Sequence, residues 1–441
     1  MKKTAIITIL TLLTLIGLTF LILKNQTRAD NDSRLKISLE SSIANQMRNS
    51  LNLTGINYVT ADPNDTDIRL TSTNNDWPTG WQSEMIYKQN LDLAPEELGK
   101  FFQGPLPNTG LTLYLAFKPS LDTSKIIDQI KTQLDKTDFT QTTVLAVGDI
   151  MLSRDVDERM DKYGRDYPFL QTSNLTKNAD ITMANLESPF REGDSTQEAM
   201  VFGAEKASIQ GLIAGGFNVL DLANNHFGNQ GQPGMNLTFN LLKQNKIDYF
   251  GAGLTNIDAR KPLIKEINNV KIAFLGYTDV DLIPNTYVAG NFAGVSTMDL
   301  DNLKTDITKT KKSADIVIVS MHGGYEYSPF VSDRQREFAH TAIDSGADLV
   351  IGHHPHVVQG VEFYKGKFIN YSLGNFIFDQ PWSTETQQGL VAKYTFALNK
   401  LVKIELIPVH IKDWSQPNLV TDQTEYETIF KRIFASSETL R

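Results

Sequence analysis

The chain has 441 residues, a formal net charge of −9, 41% hydrophobic residues and no cysteine. That length has room for about two or three globular domains, and the acidic balance argues against nucleic acid as a partner, which needs a basic face. The lack of thiols excludes disulfides, a cysteine nucleophile and thiolate metal ligands, so any metal here is held by oxygen and imidazole nitrogen.

Residues 4–23 are an almost unbroken uncharged apolar run, long enough to cross a bilayer as a helix. Lys2 and Lys3 precede it, which places the amino terminus in the cytoplasm and everything after Lys24 outside. A cleaved signal peptide is the rival reading, but Thr27-Arg28-Ala29 is a poor cleavage site, and without cysteine there is no lipoprotein anchor. The expectation is a single-pass, uncleaved anchor in the cell membrane with the main domains extracytoplasmic.

Residues 35–118 read as a small α/β domain, with RLKISLE, GINYVTA, TDIRLTS and LTLYLAF as strands and SSIANQMRNSLNL as a helix. The domain holds no histidine and its acids are scattered, so a spacer or interaction role is expected. Residues 119–142 read as a connector containing a helix over 123–136. From Thr143 to Leu398 strands and helices alternate regularly, with helices in EKASIQGLIAGGF, GMNLTFNLLKQNKI and SDRQREFAHTAIDSG. The alternation predicts an α/β layered sheet with helices on both faces. An extension over 399–441 completes an antiparallel pair, GLVAKYTFAL with LVKIELIPVHI, and ends in the helix TEYETIFKRIFAS.

Six apolar segments of the 143–398 region each deliver a polar ligand type at the carboxyl end. They are VLAVGD (Asp149), ITMANLE (Glu187), VLDLANNH (His226), ADIVIVSMH (His322), ADLVIGHHPH (His356) and FINYSLGNF (Asn375). Ligands of open α/β sheets bind outside the carboxyl ends of the strands, so a metal centre is expected there. Residues two apart on a strand share a face, which lets Asn185 and Glu187 converge. Adjacent amides Asn224 and Asn225 beside His226 are costly to bury unless something satisfies them. Three of the chain's seven histidines, His353, His354 and His356, fall within four positions. With His354 and His356 on one face of an extended segment, they suit capture of a divalent ion. His340, inside a helix, and His410, in a strand, are expected to be structural.

Together these segments resemble the CapA family of capsule and poly-γ-glutamate synthesis proteins, whose core is a calcineurin-like metallophosphoesterase domain. The resemblance covers about 143–398. It rests on Gly148-Asp149-Ile150-Met151, Asn185-Leu186-Glu187, Asn224-Asn225-His226, His322-Gly323-Gly324, Gly352-His353-His354-Pro355-His356 and Tyr371-Ser372-Leu373-Gly374-Asn375-Phe376. It implies a metallophosphoesterase-like sheet core and two divalent metals, drawn from Mn, Fe, Zn or Mg. Carried over, Asp149 and His356 bind the first metal, Glu187 bridges, and Asn225, His322 and His354 bind the second. Asn185 and His353 are further candidates. His226 becomes the general acid, and Asn224, Glu326, Tyr327 and Asn375 stand at the substrate. Met151 occupies the place where the superfamily carries a histidine, which implies a poorer first ligand set, and Gly323 stands where the family often has Trp.

The reading is a membrane-anchored, extracytoplasmic, metal-dependent hydrolase of phosphoesterase type. It would work in capsule or poly-γ-glutamate synthesis or export, with the cell membrane and an anionic polymer or capsule-assembly membrane proteins as partners. Two alternatives stand beside it. One is a non-catalytic, metal-stabilised scaffold that binds polymer or partner subunits. The other is a general cell-surface phosphoesterase, which would need an aromatic pair to clamp a base.

Overall fold

The computed structural model describes residues 139–441 except 194–199 and 285–286. Before these it describes 18–20, 35–40, 43, 53–56, 58–60, 68–72, 79, 81–102, 109–118 and 124–134. The chain divides into two compact units, one of 1–92, 109–142 and 396–402, the other of 93–108, 143–395 and 403–441.

The first unit contains a five-stranded sheet in the order Tyr58–Thr60, Leu35–Leu39, Ile68–Thr71, Leu111–Phe117, Gln82–Gln89. The last strand was not expected. Helix Ser124–Leu134 buries Ile127, Ile130 and Leu134 in one cluster with Ile68, Leu70, Leu111, Leu113 and Leu115. That spacing makes a single apolar stripe, so the helix expected as a connector is a packed part of this unit. Of the expected helix over 41–53, only Ile43 is described as helical, and Leu53 begins the strand Leu53–Ile56. The rest lies outside the described residues. Of the apolar run 4–23, Leu18–Phe20 form a short strand beside Leu53–Ile56, and the remainder is not described. Among the described residues no helix is long and apolar enough to cross a membrane.

In the larger unit we number β1 (Gln141–Ile150), β2 (Ile181–Leu186), β3 (Val219–Asp221), β4 (Asp248–Phe250), β5 (Leu263–Ile267), β6 (Val270–Thr278), β7 (Ile316–His322), β8 (Leu349–His353), β9 (Val361–Tyr364), β10 (Lys367–Asn370), β11 (Asn375–Ile377), β12 (Gln388–Ala397), β13 (Lys400–Lys412) and β14 (Gln416–Leu419). Its main helices are α1 (Arg154–Tyr163), α2 (Ile209–Ala214), α3 (Gly231–Gln244), α4 (Leu300–Thr310), α5 (Asp333–Asp344) and α6 (Gln423–Glu438). One sheet runs β4-β3-β2-β1-β12-β13-β14, with β11 also paired to β1, and a second runs β5-β6-β7-β8-β10-β9.

There are therefore two sheets where the alternation predicted one with helices on both faces. Leu145 and Val147 of β1 and Ala184 and Leu186 of β2 pack with Val156 and Met160 of α1, Leu212 of α2 and Phe239 of α3. Ala273 and Leu275 of β6 and Val317, Val319 and Met321 of β7 pack with Leu303 and Ile307 of α4 and Phe338 of α5. Side chains alternate across a strand, so the intervening residues point to the opposite faces, and there the sheets meet. Phe250 of β4 lies 5.6 Å from Phe274 of β6, and a Cβ on Gly276 would reach within 2.4 Å of Asp221 Oδ1. Both faces of the central strands β1, β2, β6 and β7 are apolar whether a helix or another sheet covers them, which is why the pattern reads the same.

One irregularity in this scaffold aims the site. Met183 of β2 stands opposite Ala146 of β1, but Asn185 stands opposite Asp149, so Val147 and Gly148 together face Ala184 alone. The extra residue is a β-bulge. Without it Asp149 would share the helix-covered face of Leu145 and Val147; with it the carboxylate turns to the inner face.

Candidate metal centre

Asp149, Asn185, Glu187, His322 and His353 end on the inner faces of β1, β2, β7 and β8, and all are fully buried. Register accounts for the meeting. Asp149 is opposite Asn185 across the first sheet, and His322 is opposite His353 across the second. The third segment contributes differently, because β3 stops at Asp221 and Asn224-Asn225-His226 lie in the loop beyond. The sixth segment is not one strand. FIN belongs to β10 in the second sheet, the chain crosses over, and Asn375 starts β11 in the first, opposite Asp149.

Nor is the histidine run extended. His354 has φ 98° and His356 φ 58°, a left-handed path that costs energy for non-glycine residues. The path nonetheless gathers the rings, with His354 4.7 Å from His322 and 6.0 Å from His356. Tyr327 N–H donates to Pro355 O at 2.8 Å, which ties the loop after β7 to this turn.

Asp149 is the hub. Its Oδ1 accepts from Asn185 Nδ2 at 2.8 Å and lies 3.1 Å from His353 Nδ1; its Oδ2 lies 3.3 Å from His356 Nδ1. Asn185 Nδ2 also sits 3.1 Å from Glu187 Oε1 and 3.2 Å from His322 Nδ1. His322 Nε2 is 3.0 Å from Asn225 Oδ1. Ligand atoms of Asp149, Glu187 and His356 all lie within 4.8 Å of one another, and so do those of Glu326, His354 and His356.

Burial would raise the Asp149 carboxyl, but hydrogen bonds from His353 and His356 hold it well below the usual range. Burial, and then the neighbouring Asp149 charge, push Glu187 well above its usual value. Burial also drives three of the imidazoles neutral: His354 falls to about 3 and His226 to about 4, while His322 falls well below its ordinary value. Neutral imidazole is the ligating form. Glu187 Oε2, His353 Nε2 and His354 Nδ1 are buried without a hydrogen-bond partner, a state that costs free energy unless something else satisfies them. Two carboxylates forced together, neutral imidazoles and orphaned donor atoms are the chemistry of a divalent-cation site, and these residues fit one.

Other expected residues fall elsewhere. Asn224 Nδ2 donates to Asn185 Oδ1 at 3.0 Å and to Leu186 O at 2.8 Å, while its Oδ1 accepts from His226 N–H at 3.1 Å. Asn375 Oδ1 lies 2.9 Å from His356 Nδ1, and its Nδ2 donates to Gln380 Oε1 and Thr386 O at 2.9 Å each. These two amides, expected at the substrate, are fully buried and spent on orienting Asn185 and His356. Met151 joins the apolar cluster beneath α1, and its sulfur accepts from Ser153 N–H at 3.1 Å. His340 pairs with Glu362 at 2.9 Å and stacks on Tyr364 at 3.7 Å, while His410 pairs with Glu425 at 2.6 Å.

At the rim stand Glu326 and Tyr327, both exposed, the latter 6.2 Å from His356. His226 stacks on Phe202 at 3.9 Å, with its Nδ1 2.9 Å from Asn229 Oδ1. Arg154, Phe202, Phe378 and Trp382 also border the cluster, and sequence reasoning missed them all. Arg154, a cation five residues after Asp149, carried a readable signal; the aromatic residues had none.

The chain is similar to capsule-synthesis proteins over about two thirds of its length. "Capsule biosynthesis protein CapA" of Bacillus anthracis is 35% identical over 305 residues, which cover 66% of this chain and 72% of that protein. "PGA biosynthesis protein CapA" of Bacillus subtilis (strain 168) is 34% identical over 296 residues, covering 66% and 77%. Among solved structures, a hypothetical protein from Thermus thermophilus matches at 14% identity and a TM-score of 0.42, over 62% of this chain and all of that one, too loose an overlay to carry an argument. The family model for "Bacterial capsule synthesis protein PGA_cap" matches residues 143–380, the stretch that carries the cluster, the whole second sheet and β1 to β4 with β11 of the first, and the chain belongs to that family.

Proposed function

We propose that this chain is a divalent-metal-dependent hydrolase of capsule or poly-γ-glutamate synthesis or export, anchored at the membrane by residues 4–23 with its larger unit outside. The observation that carries the reading is the buried Asp149–Glu187–His356 cluster, with its donor atoms within 4.8 Å and Glu187 Oε2 unpartnered. Asp149, Glu187 and His356 would hold one ion, and His354, with Asn225, His322 and the rim carboxylate Glu326, would hold a second. Bound metal there supplies charge neutralisation and polarisation of the scissile group.

The protein's own residues do the rest. Asn185 fixes both carboxylates, and Asn375 fixes the His356 ring, the outer support that ligand histidines usually have. His226 is held by Phe202 and by Asn229 at Nδ1, which leaves Nε2 to exchange a proton with the leaving oxygen or nitrogen. The bond cleaved would be a phosphoester or an amide of an anionic polymer or its precursor.

The scaffold reading draws support from Met151, which supplies no ligand where the superfamily has one. The general phosphoesterase reading draws less, because Tyr327 and Trp382 meet edge-on at 82° and 6.1 Å, not as a parallel clamp. The test is metal content per full-length chain, together with turnover of a phosphomonoester, a phosphodiester and a γ-glutamyl amide, in wild type and His226→Asn. Metal retained and turnover lost in the variant supports the hydrolase. No turnover by the metal-loaded wild type on any of the three supports the scaffold.

A further inference from the structure

The proposed chemistry leaves unused a cation that borders the cluster. Arg154 opens α1 with φ 53°, five residues after the hub carboxylate. Its Nε donates to Asp379 Oδ2 at 3.2 Å and a second guanidinium nitrogen pairs with Oδ1. Asp379 also accepts Asp155 N–H at 3.0 Å, so this one carboxylate both caps the start of α1 and orients the guanidinium. The Arg154 side chain is 18% exposed and that of Asp379 only 2%.

The charged face then lies over two phenyl rings, Phe202 at 4.8 Å and Phe378 at 5.9 Å. These rings are the ones that pack the site imidazoles. Phe202 stacks on His226 at 3.9 Å, and Phe378 meets His356 edge-on at 4.7 Å. One aromatic ring therefore separates the guanidinium from each of two imidazoles of the site, His226 and His356. Its charge is felt at His226 and also at Tyr327 on the rim. A helix cap alone would account for the pairing with Asp379 but not for this seating.

A protein of net charge −9 that brings an anion up to buried carboxylates repels it unless a local cation compensates. A guanidinium held rigid by a carboxylate and two ring faces is preorganised for an oxyanion. We propose that Arg154, clamped by Asp379, Phe202 and Phe378, is an oxyanion subsite that reads an anionic group of the substrate next to the scissile bond. The proposal rests on the hydrolase reading for the position of that bond; the binding claim itself does not need turnover.

The experiment uses the full-length chain loaded with Mn2+ and three probes: penta-γ-glutamate, its methyl ester and inorganic phosphate. Affinities are measured by calorimetry for wild type, Arg154→Gln and Arg154→Lys, with metal content and thermal midpoint as controls. Arg154→Gln is expected to weaken the free-acid pentamer about tenfold or more, leave the ester unchanged and keep its metal. Arg154→Lys preserves the charge and is expected to recover part of that loss. Weakened phosphate with an unchanged pentamer supports the subsite and makes it a phosphate reader, not a carboxylate reader. Where a substrate is turned over, KM should rise more than kcat falls.

The proposal is overturned if both variants bind all probes as wild type does, or if Arg154→Gln loses metal and ester binding together, as a purely structural clamp would. Should Arg154→Gln fail to fold, a pentamer affinity and acid-to-ester preference in Arg154→Lys equal to wild type overturns it equally. Arg154-dependent binding with no turnover by wild type would remove the hydrolase reading alone. Turnover indifferent to Arg154 would remove the subsite alone.

Discussion

Gly148 and Gly374 are packed backbone to backbone, so that a Cβ on Gly148 would sit 2.0 Å from the Gly374 carbonyl oxygen. This contact seats β11 against β1 at the bulge, where Asn375 lies opposite Asp149. The glycine is thus what allows the hub carboxylate and the amide that orients His356 to share one edge of the cluster.

Gly148→Ala should accordingly destabilise the protein by about 2–4 kcal/mol, beyond ordinary overpacking because the obstacle is backbone. Metal content should fall with it, since Asp149 and Asn375 can no longer keep their register. Urea unfolding and metal analysis of the folded fraction check this. A variant with wild-type stability and full metal would show that the bulge does not depend on this contact.

Glu187 gives a prediction with opposite signs in the two metal states. Its folded pKa is raised, so at pH values above the unfolded value the folded state carries a penalty that grows as pH rises through the folded value. In chelator at pH 8, Glu187→Gln should be more stable than wild type by about 1–3 kcal/mol, and the gap should narrow toward pH 4. With Mn2+ or Zn2+ at about 100 times its Kd, wild type should gain about 2.7 kcal/mol, and the variant much less. A variant less stable than wild type in chelator at pH 8 would refute the claim that the carboxylates strain each other without a cation.

Met151→His places an imidazole where the metallophosphoesterase resemblance would expect one, at a position that is fully buried within an apolar cluster. The expected result is a loss of about 2–4 kcal/mol from burying an imidazole among carbons, with no additional metal bound. Metal stoichiometry measured beside thermal unfolding decides it. An extra equivalent of tightly held metal would mean that the side chain can reach the cluster after all.

Asp348 anchors the entry to β7, the strand that carries His322. Its Oδ2 accepts Val317 N–H at 2.9 Å, and Lys311 and Lys367 reach it at 2.5 and 2.7 Å. Burial alone would raise its pKa, but the two ammonium groups hold it below the ordinary value. A depressed carboxyl contributes stability above its unfolded pKa, about 3.9, that is lost as pH falls through the folded value. Asp348→Asn should therefore cost about 1–3 kcal/mol at pH 7, because two ammonium groups that are each about a third exposed lose their partner, and markedly less at pH 3. Urea midpoints at the two pH values test it; a pH-independent difference would place the effect in packing.

Much of the cluster's composition was legible in the chain because short, continuously apolar strands ending in Asp, Asn, Glu and His need only local pattern to recognise. Asp149, Glu187, His322, His354 and His356 were all picked out this way, and the structure brings them into one buried cluster. Asn224 and Asn375 are the less legible members, because an amide in a motif looks the same whether it faces a ligand or supports one. Which it does depends on partners such as Leu186, Gln380 and Thr386, contributed by other parts of the fold.

Residue types, their order and the alternation of strands and helices, then, were determined by the sequence alone: these are properties of neighbours within a few positions. That there are two sheets, that a bulge turns Asp149 inward, that the histidine run bends through left-handed φ, and that Arg154 stands one ring from both His226 and His356 were decided only by tertiary structure. Each depends on residues tens to hundreds of positions apart, and one added residue in a strand reverses every side chain beyond it.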